Sequence, residues 1–186
     1  YKGGGYPGSG GTCSSTLNAS ATCTIVVTFT PTVDGLQNAT LSLGYNDGAQ
    51  TQTATRPLSG TGATAANLAI TDGPTFDFGT RATTSSLDKS FTITNNGGVT
   101  ATAMTGTGLA APFSFKGGFY PGTGGNCAAS LSPAGTCTVV VTYNPVSTGS
   151  HSDTLEMEYH NGVGNQVSNR PLTGVGAAPA TIGISH

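Results

Sequence analysis

The segment GGNCAASLSPAGTCTVVVTYNP, residues 124–145, decides how this chain is read. Its second half alternates: Val139, Val141 and Tyr143 fall on one side of an extended backbone, Val140 and Thr142 on the other. Period-two alternation of β-branched and aromatic residues is the mark of a strand with one face in a core. Two cysteines, Cys127 and Cys137, bracket a stretch with Pro133 and Gly135, which turn the chain back toward that strand. Nearly the same segment, GGTCSSTLNASATCTIVVTFTP, occupies residues 10–31.

The likeness extends in both directions. A shift of 114 positions sets Cys13 on Cys127 and Cys23 on Cys137, and leaves 72 aligned pairs (186 − 114) without a gap. Of these pairs, 31 are identical, among them Tyr6/Tyr120, Pro7/Pro121, Pro31/Pro145, Tyr45/Tyr159 and the Arg-Pro-Leu runs that begin at Arg56 and Arg170. Fixed-period self-similarity of this kind marks a repeat architecture. The segments RPLSGTGATAANLAI (56–70) and RPLTGVGAAPATIGI (170–184) each close one unit and open the next. The expected organisation is therefore the C-terminal half of a repeat over 1–64, a complete repeat over 65–178, and the first strand of a following repeat over 179–186. On this phasing the half repeat lacks a counterpart of residues 65–114. Two sources are conceivable, a longer polypeptide or strand complementation by another chain. The longer polypeptide is preferred, because 50 residues exceed one donated strand.

Other segments carry the same period. TLEMEYH sets Leu155, Met157 and Tyr159 against Glu156, Glu158 and His160, and SFTITN sets Phe91 with Ile93. Asn161-Gly162, with Asp47-Gly48 at the corresponding place in the first copy, predicts a tight hairpin, and Asn96-Gly97 predicts another turn between strands. No window has helical periodicity with caps. About seven short strands per repeat, punctuated by such turns, predict an all-β chain of tandem immunoglobulin-like β-sandwiches.

Composition narrows the function classes. Charged residues make up 8% of the chain, against about 25% in typical soluble domains, and the net charge is −2. Six Lys and Arg, spread singly, give no stripe for phosphate, so no nucleic acid partner is expected. No run approaches the ~18 apolar residues of a membrane span. Gly and Pro together supply 39 of 186 residues, and Thr is commonest at 32, yet the apolar residues are patterned rather than scattered. That pattern argues against disorder.

Four cysteines allow three pairings. If each repeat closes its own staple, the pairs are Cys13–Cys23 and Cys127–Cys137, and the compartment is oxidising. A zinc reading is weaker, with two cysteines per unit and no histidine recurring beside them.

FDFGT (76–80), FTITNNGG (91–98), CAASLSPAGTCTVVVTYNP (127–145) and the closing PLTGVG (171–176) together resemble the bacterial choice-of-anchor D repeat, an immunoglobulin-like module related to the abnormal-spindle and Hydin domains. The resemblance implies a seven-stranded sandwich within long secreted or surface-anchored proteins. It implies no enzymatic activity and offers no catalytic motif.

No catalytic residue, metal ligand or cofactor site is expected. His151, Glu156, Glu158 and His160 could be imagined around a metal. However, Ser42, Gly44 and Asn46 replace the last three in the first copy, and a solvated outer face accounts for them. Asp72, Asp77 and Asp88 lack calcium-loop spacing. GGGYPGSGG and GGFYPGTGG do not continue into the Lys-Ser/Thr of a phosphate loop. Their Tyr6, Pro7, Tyr120 and Pro121 are the candidate interaction residues, for sugar or protein, set against packing over a sandwich end. Sequons at Asn18 and Asn38 do not recur in the second copy.

The expected role is a structural module of an extracellular fibre, stalk or surface layer. Its partners would be copies of itself or neighbouring repeats of one long chain, since low charge removes the repulsion that blocks strand association. The other expectations are an adhesion module for a glycan or a protein, or an accessory domain of a larger secreted enzyme.

Overall fold

The computed structural model describes residues 1–184. Ser185 and His186, expected to end the first strand of a following repeat, lie outside the described residues, and residues 178–184 carry no strand. The described chain is all-β, and it divides into two compact units, Tyr1–Ala63 and Thr64–His186.

The first unit contains one antiparallel pair, β1 (Gly35–Asn46) with β2 (Thr51–Gly62). Asp47 makes its turn: the carboxylate accepts from the amides of Ala49 and Gln50 at 2.8 Å each, and these bonds hold it below the usual carboxylate range. Residues 22–30 are extended but form no strand, although they are nearly the sequence of the core strand in the second copy. The reason is that a strand exists by pairing. Nothing within residues 1–63 corresponds to the two strands that flank it there.

The second unit holds eight strands: β3 (Leu68–Ile70), β4 (Phe76–Ala82), β5 (Leu87–Asn95), β6 (Thr102–Thr107), β7 (Phe113–Phe115), β8 (Thr136–Tyr143), β9 (Gly149–His160) and β10 (Asn165–Ala177). They form two four-stranded sheets, ordered β4-β10-β9-β6 and β3-β5-β8-β7. The count is one more than the expected seven, and two of the eight, β3 and β7, are three-residue edge pieces. All pairings are antiparallel except β4 with β10, which runs parallel from Leu172↔Phe76 to Ala177↔Ala82.

The core lies between the sheets and follows the alternation. Phe91 and Ile93 of β5 and Val139, Val141 and Tyr143 of β8 meet Phe78 of β4, Leu155 and Met157 of β9 and Leu172 of β10, all buried. Each such side chain contributes about 1.5–3 kcal/mol by leaving water. Aromatic rings occupy one end: Phe113 stacks on Tyr143 at 4.7 Å and Phe78 lies 5.5 Å from Tyr143. Gly174 faces Tyr143 so closely that a Cβ there would lie 2.7 Å from the ring.

The turns divide into two kinds. Asn161-Gly162 closes the β9–β10 hairpin with Gly162 at φ +93, and Asn161 Oδ1 accepts from Val163 and Gly164 as Asp47 does from its own neighbours. Asn96-Gly97 is different. It lies on a crossing from β5 in one sheet to β6 in the other, and Gly97 has no positive φ. Glycine is required there because a Cβ would meet the backbone of Ala65 and Ala66.

Candidate interaction surface

The two cysteine pairs are Cys13–Cys23 and Cys127–Cys137, with Cα atoms 4.8 and 4.9 Å apart. In each unit the bridge ties a surface loop to the segment entering the core. Cys127 and Cys137 are themselves buried.

The glycine-rich loop of residues 116–126 runs beside β8. Lys116 N donates to Val140 O at 2.9 Å, Val140 N donates to Pro121 O at 2.8 Å, and Asn126 N donates to Thr138 O at 3.0 Å. The loop thus occupies the edge of the sheet beyond β7 and shields Val140, whose side chain points away from the core and is nonetheless buried. Gly122 makes this possible: its φ is +88, and a Cβ there would collide with the carbonyl of Val140. The first copy has the same arrangement, with Lys2 N to Val26 O at 3.0 Å, Val26 N to Pro7 O at 2.9 Å, and Gly8 against Val26.

The candidate residues fall within these loops. Tyr120 is half-buried, edge-on to Phe115 at 5.8 Å, and its hydroxyl donates to Ala128 O at 3.4 Å. Burial pushes its phenol up to about 12. Pro121 supplies the carbonyl that holds Val140. Tyr6 donates to Ser14 O at 3.4 Å and meets Tyr1 edge-on at 5.8 Å, while Pro7 holds Val26. The ring that the loop turns outward is Phe119, at 82% exposure. The repeat does not mark it, because Gly5 stands at its place in the first copy.

The acidic and histidine candidates are dispersed. Glu158 accepts from Thr107 at 3.2 Å, and His160 Nδ1 accepts from Gly162 N at 3.1 Å. Asp72 pairs with Lys89 at 2.9 Å, and Asp88 pairs with Lys116 at 2.8 Å while accepting from Thr142 at 2.6 Å. The lysine partners hold both carboxyls below their usual range. Asp77 accepts from Gly79 N at 2.9 Å. Among the described residues no three His, Cys, Asp or Glu side chains converge as a metal site.

His151 does something else. Its Nδ1 lies 2.8 Å from the hydroxyl of buried Tyr143, and its Nε2 lies 3.2 Å from Ser147 Oγ. A buried phenol needs a partner, and His151 provides it.

Two structural residues were not anticipated. Asn95 is the only polar residue among those in the buried core of the described chain. Its Nδ2 donates to Val99 O and Leu131 O, and its Oδ1 accepts from the amides of Asn67 and Gly97. Arg170, of the repeated Arg-Pro-Leu run, donates from its guanidinium to the carbonyls of Pro74 (2.9 Å) and Ile70.

Two facing sheets, an alternating core and one long-range parallel closure define an immunoglobulin-like sandwich. The chain belongs to the HYDIN/CFA65/VesB-like Ig-like domain family, whose model matches residues 70–170, more than half of its length. Comparison with curated proteins finds no match. Among solved structures it is similar to the VesB protease of Vibrio cholerae, with 19% identity and a TM-score of 0.48, covering 58% of this chain and 31% of that one. It is similar to PapD-like domain 7 of human CEP192, with 16% identity and a TM-score of 0.45, covering 62% and 89%. It is similar also to the secreted serine protease VesC of Vibrio cholerae, with 18% identity and a TM-score of 0.40, covering 55% and 22%. The chain thus spans less than a third of the length of VesB.

Proposed function

We propose that this chain is a structural repeat module of a long secreted or cell-surface protein. In that protein it acts without enzymatic activity of its own, as part of a fibre, stalk or surface layer. The carrying observation is what the two copies share. They keep the disulfide, the loop hydrogen bonds to the core segment and the glycine beneath them, whereas outward residues such as Phe119 and Glu156 give way to Gly5 and Ser42. Framework kept while the surface changes fits a spacer better than a binding site. The disulfides support an extracytoplasmic location, since such bridges persist where thiols are not kept reduced. The motif string supports the finer assignment to choice-of-anchor D repeats.

The test uses antibodies raised against the second unit, applied to intact cells and to unreduced native material. The reading expects labelling of unpermeabilised cells and a polypeptide far above 18.3 kDa. Labelling only after permeabilisation would overturn it.

A second reading is an accessory domain of a larger secreted enzyme. The family's description, which takes in VesB, favours it. A catalytic domain encoded in the same polypeptide would select it over the first.

A further inference from the structure

The first unit presents an apolar face whose occupant the second unit specifies. Val27, Phe29 and Tyr45 are exposed by 43%, 52% and 50%, whereas their counterparts Val141, Tyr143 and Tyr159 are exposed by 0%, 0% and 6%. Phe29 already has one neighbour in place: a Cβ at Gly60 would lie 2.8 Å from its ring, as one at Gly174 would from Tyr143. The other side of the ring is open. In the second unit that side is taken by Phe78 and Phe113, both within residues 65–114.

The backbone shows the same incompleteness by a separate route. The β9–β10 pair is flanked by β6 on one edge and β4 on the other, and β8 is paired along its length with β5. All three flanking strands lie within 65–114. The corresponding β1–β2 pair stands as a two-stranded sheet, an arrangement that is marginal in water.

We propose that this face and both edges of the first unit receive a half-sandwich of the 65–114 type, with counterparts of β3 to β6, carried by the same polypeptide ahead of Tyr1. A second copy is a poor donor. Its own residues 65–114 are committed, with Phe91, Ile93 and Phe113 at 0%, 0% and 1% exposure, so lending them would unfold its second unit. Linkage in the same chain needs no rearrangement. Tyr1 stands at the position of Phe115, the last residue of β7, so a preceding segment would enter directly along that strand.

The experiment compares the 186-residue chain with a version carrying a copy of residues 65–114 fused ahead of Tyr1. The readouts are amide exchange of residues 22–30 other than Thr24 and Val26, whose amides already donate to Thr12 Oγ1 and Pro7 O, binding of a hydrophobic dye, and mass in solution. The expected result is slowing of exchange in 22–30 by roughly 100-fold or more in the fused chain, loss of dye binding, and a monomer in both cases. Protected amides at Phe91 and Val139 in both proteins would report an intact second unit. The proposal falls if the 186-residue monomer already protects the amides of 22–30 other than Thr24 and Val26, or if the fusion leaves their exchange unchanged. It falls also if the 186-residue chain is a dimer with those amides protected, which would make a second copy the occupant. A check that does not depend on the fused chain folding is Phe29→Ser in the 186-residue protein. It should reduce dye binding and leave the exchange of the remaining amides unchanged, and an unfolding effect on the first unit would count against an open face.

Discussion

Asn95 donates from its side-chain amide to the main-chain carbonyl of Leu131 across 3.0 Å, tying β5 to the loop that precedes the second cysteine of the Cys127–Cys137 bridge. The same side chain serves Val99, Asn67 and Gly97, so four backbone groups of the core's rim depend on one residue.

Asn95→Ala is therefore expected to cost about 2–3 kcal/mol, the range for leaving buried polar groups without partners. Asn95→Asp should be at least as damaging, since it removes both donors and buries a carboxylate. Urea unfolding followed by fluorescence gives the number; a loss under about 0.5 kcal/mol, typical of an unremarkable surface site, would contradict the assigned role.

Replacing both Cys127 and Cys137 by Ala should lower the stability of the second unit by roughly 2–3 kcal/mol, from the loop-closure entropy of so short a ring. Denaturation of the double variant, set beside the parent protein with and without reductant, measures this. Reductant should shift the second unit's transition in the parent and leave that transition in place in the variant, whose remaining bridge, Cys13–Cys23, lies in the first unit.

Gly122 and Gly118 provide a matched pair, at φ +88 and +90. Alanine at Gly118 meets open space and should cost about 1–2 kcal/mol, the left-handed penalty alone. Alanine at Gly122 adds a collision with the carbonyl of Val140. Its cost should be clearly larger, with faster exchange at Lys116 and Val140. Equal losses for the two variants would mean that the loop is not held against β8 as described.

The Tyr120 phenol, at about 12 in the folded chain, stands above its ordinary value near 10. The folded state holds that proton more tightly than the unfolded state does. Its contribution to stability is complete below pH 10 and is lost as pH rises from there through 12. Burial raises the phenol of Tyr143 as well, so absorbance titration should show more than one late-ionising tyrosine, one of which disappears in Tyr120→Phe, and the variant should lose less stability over the same interval. A Tyr120 that ionises with the exposed tyrosines would refute the packing described for it.

The strands of the second unit were legible where one face is buried and the other wet: the alternation at Val139, Val141 and Tyr143, and at Leu155, Met157 and Tyr159, is the core itself. The disulfide pairing was legible because a repeat must satisfy each unit separately. Asn95 was not, because an asparagine ahead of Asn96-Gly97 has the composition of a turn, and only the fold brings Leu131 to it. Arg170 was visible as a repeated letter, but its partners lie about a hundred residues away along the chain. Residues 22–30 share their sequence character with β8 and yet form no strand, since pairing is a property of neighbours. Among the loop aromatics the repetition marks Tyr6 and Tyr120, while the ring facing solvent is the unrepeated Phe119.

The parallel pairing of β4 with β10 bears on how the second unit would respond to being pulled from its two ends. Tension would enter β4 at Phe76 and leave β10 at Ala177, which lie at opposite ends of one ladder. Short β3 would part early, but the bonds between β4 and β10 would then be strained side by side, in shear, instead of opening one after another like a zip. A module closed in this way resists stretching along its chain more than its modest number of interstrand bonds implies.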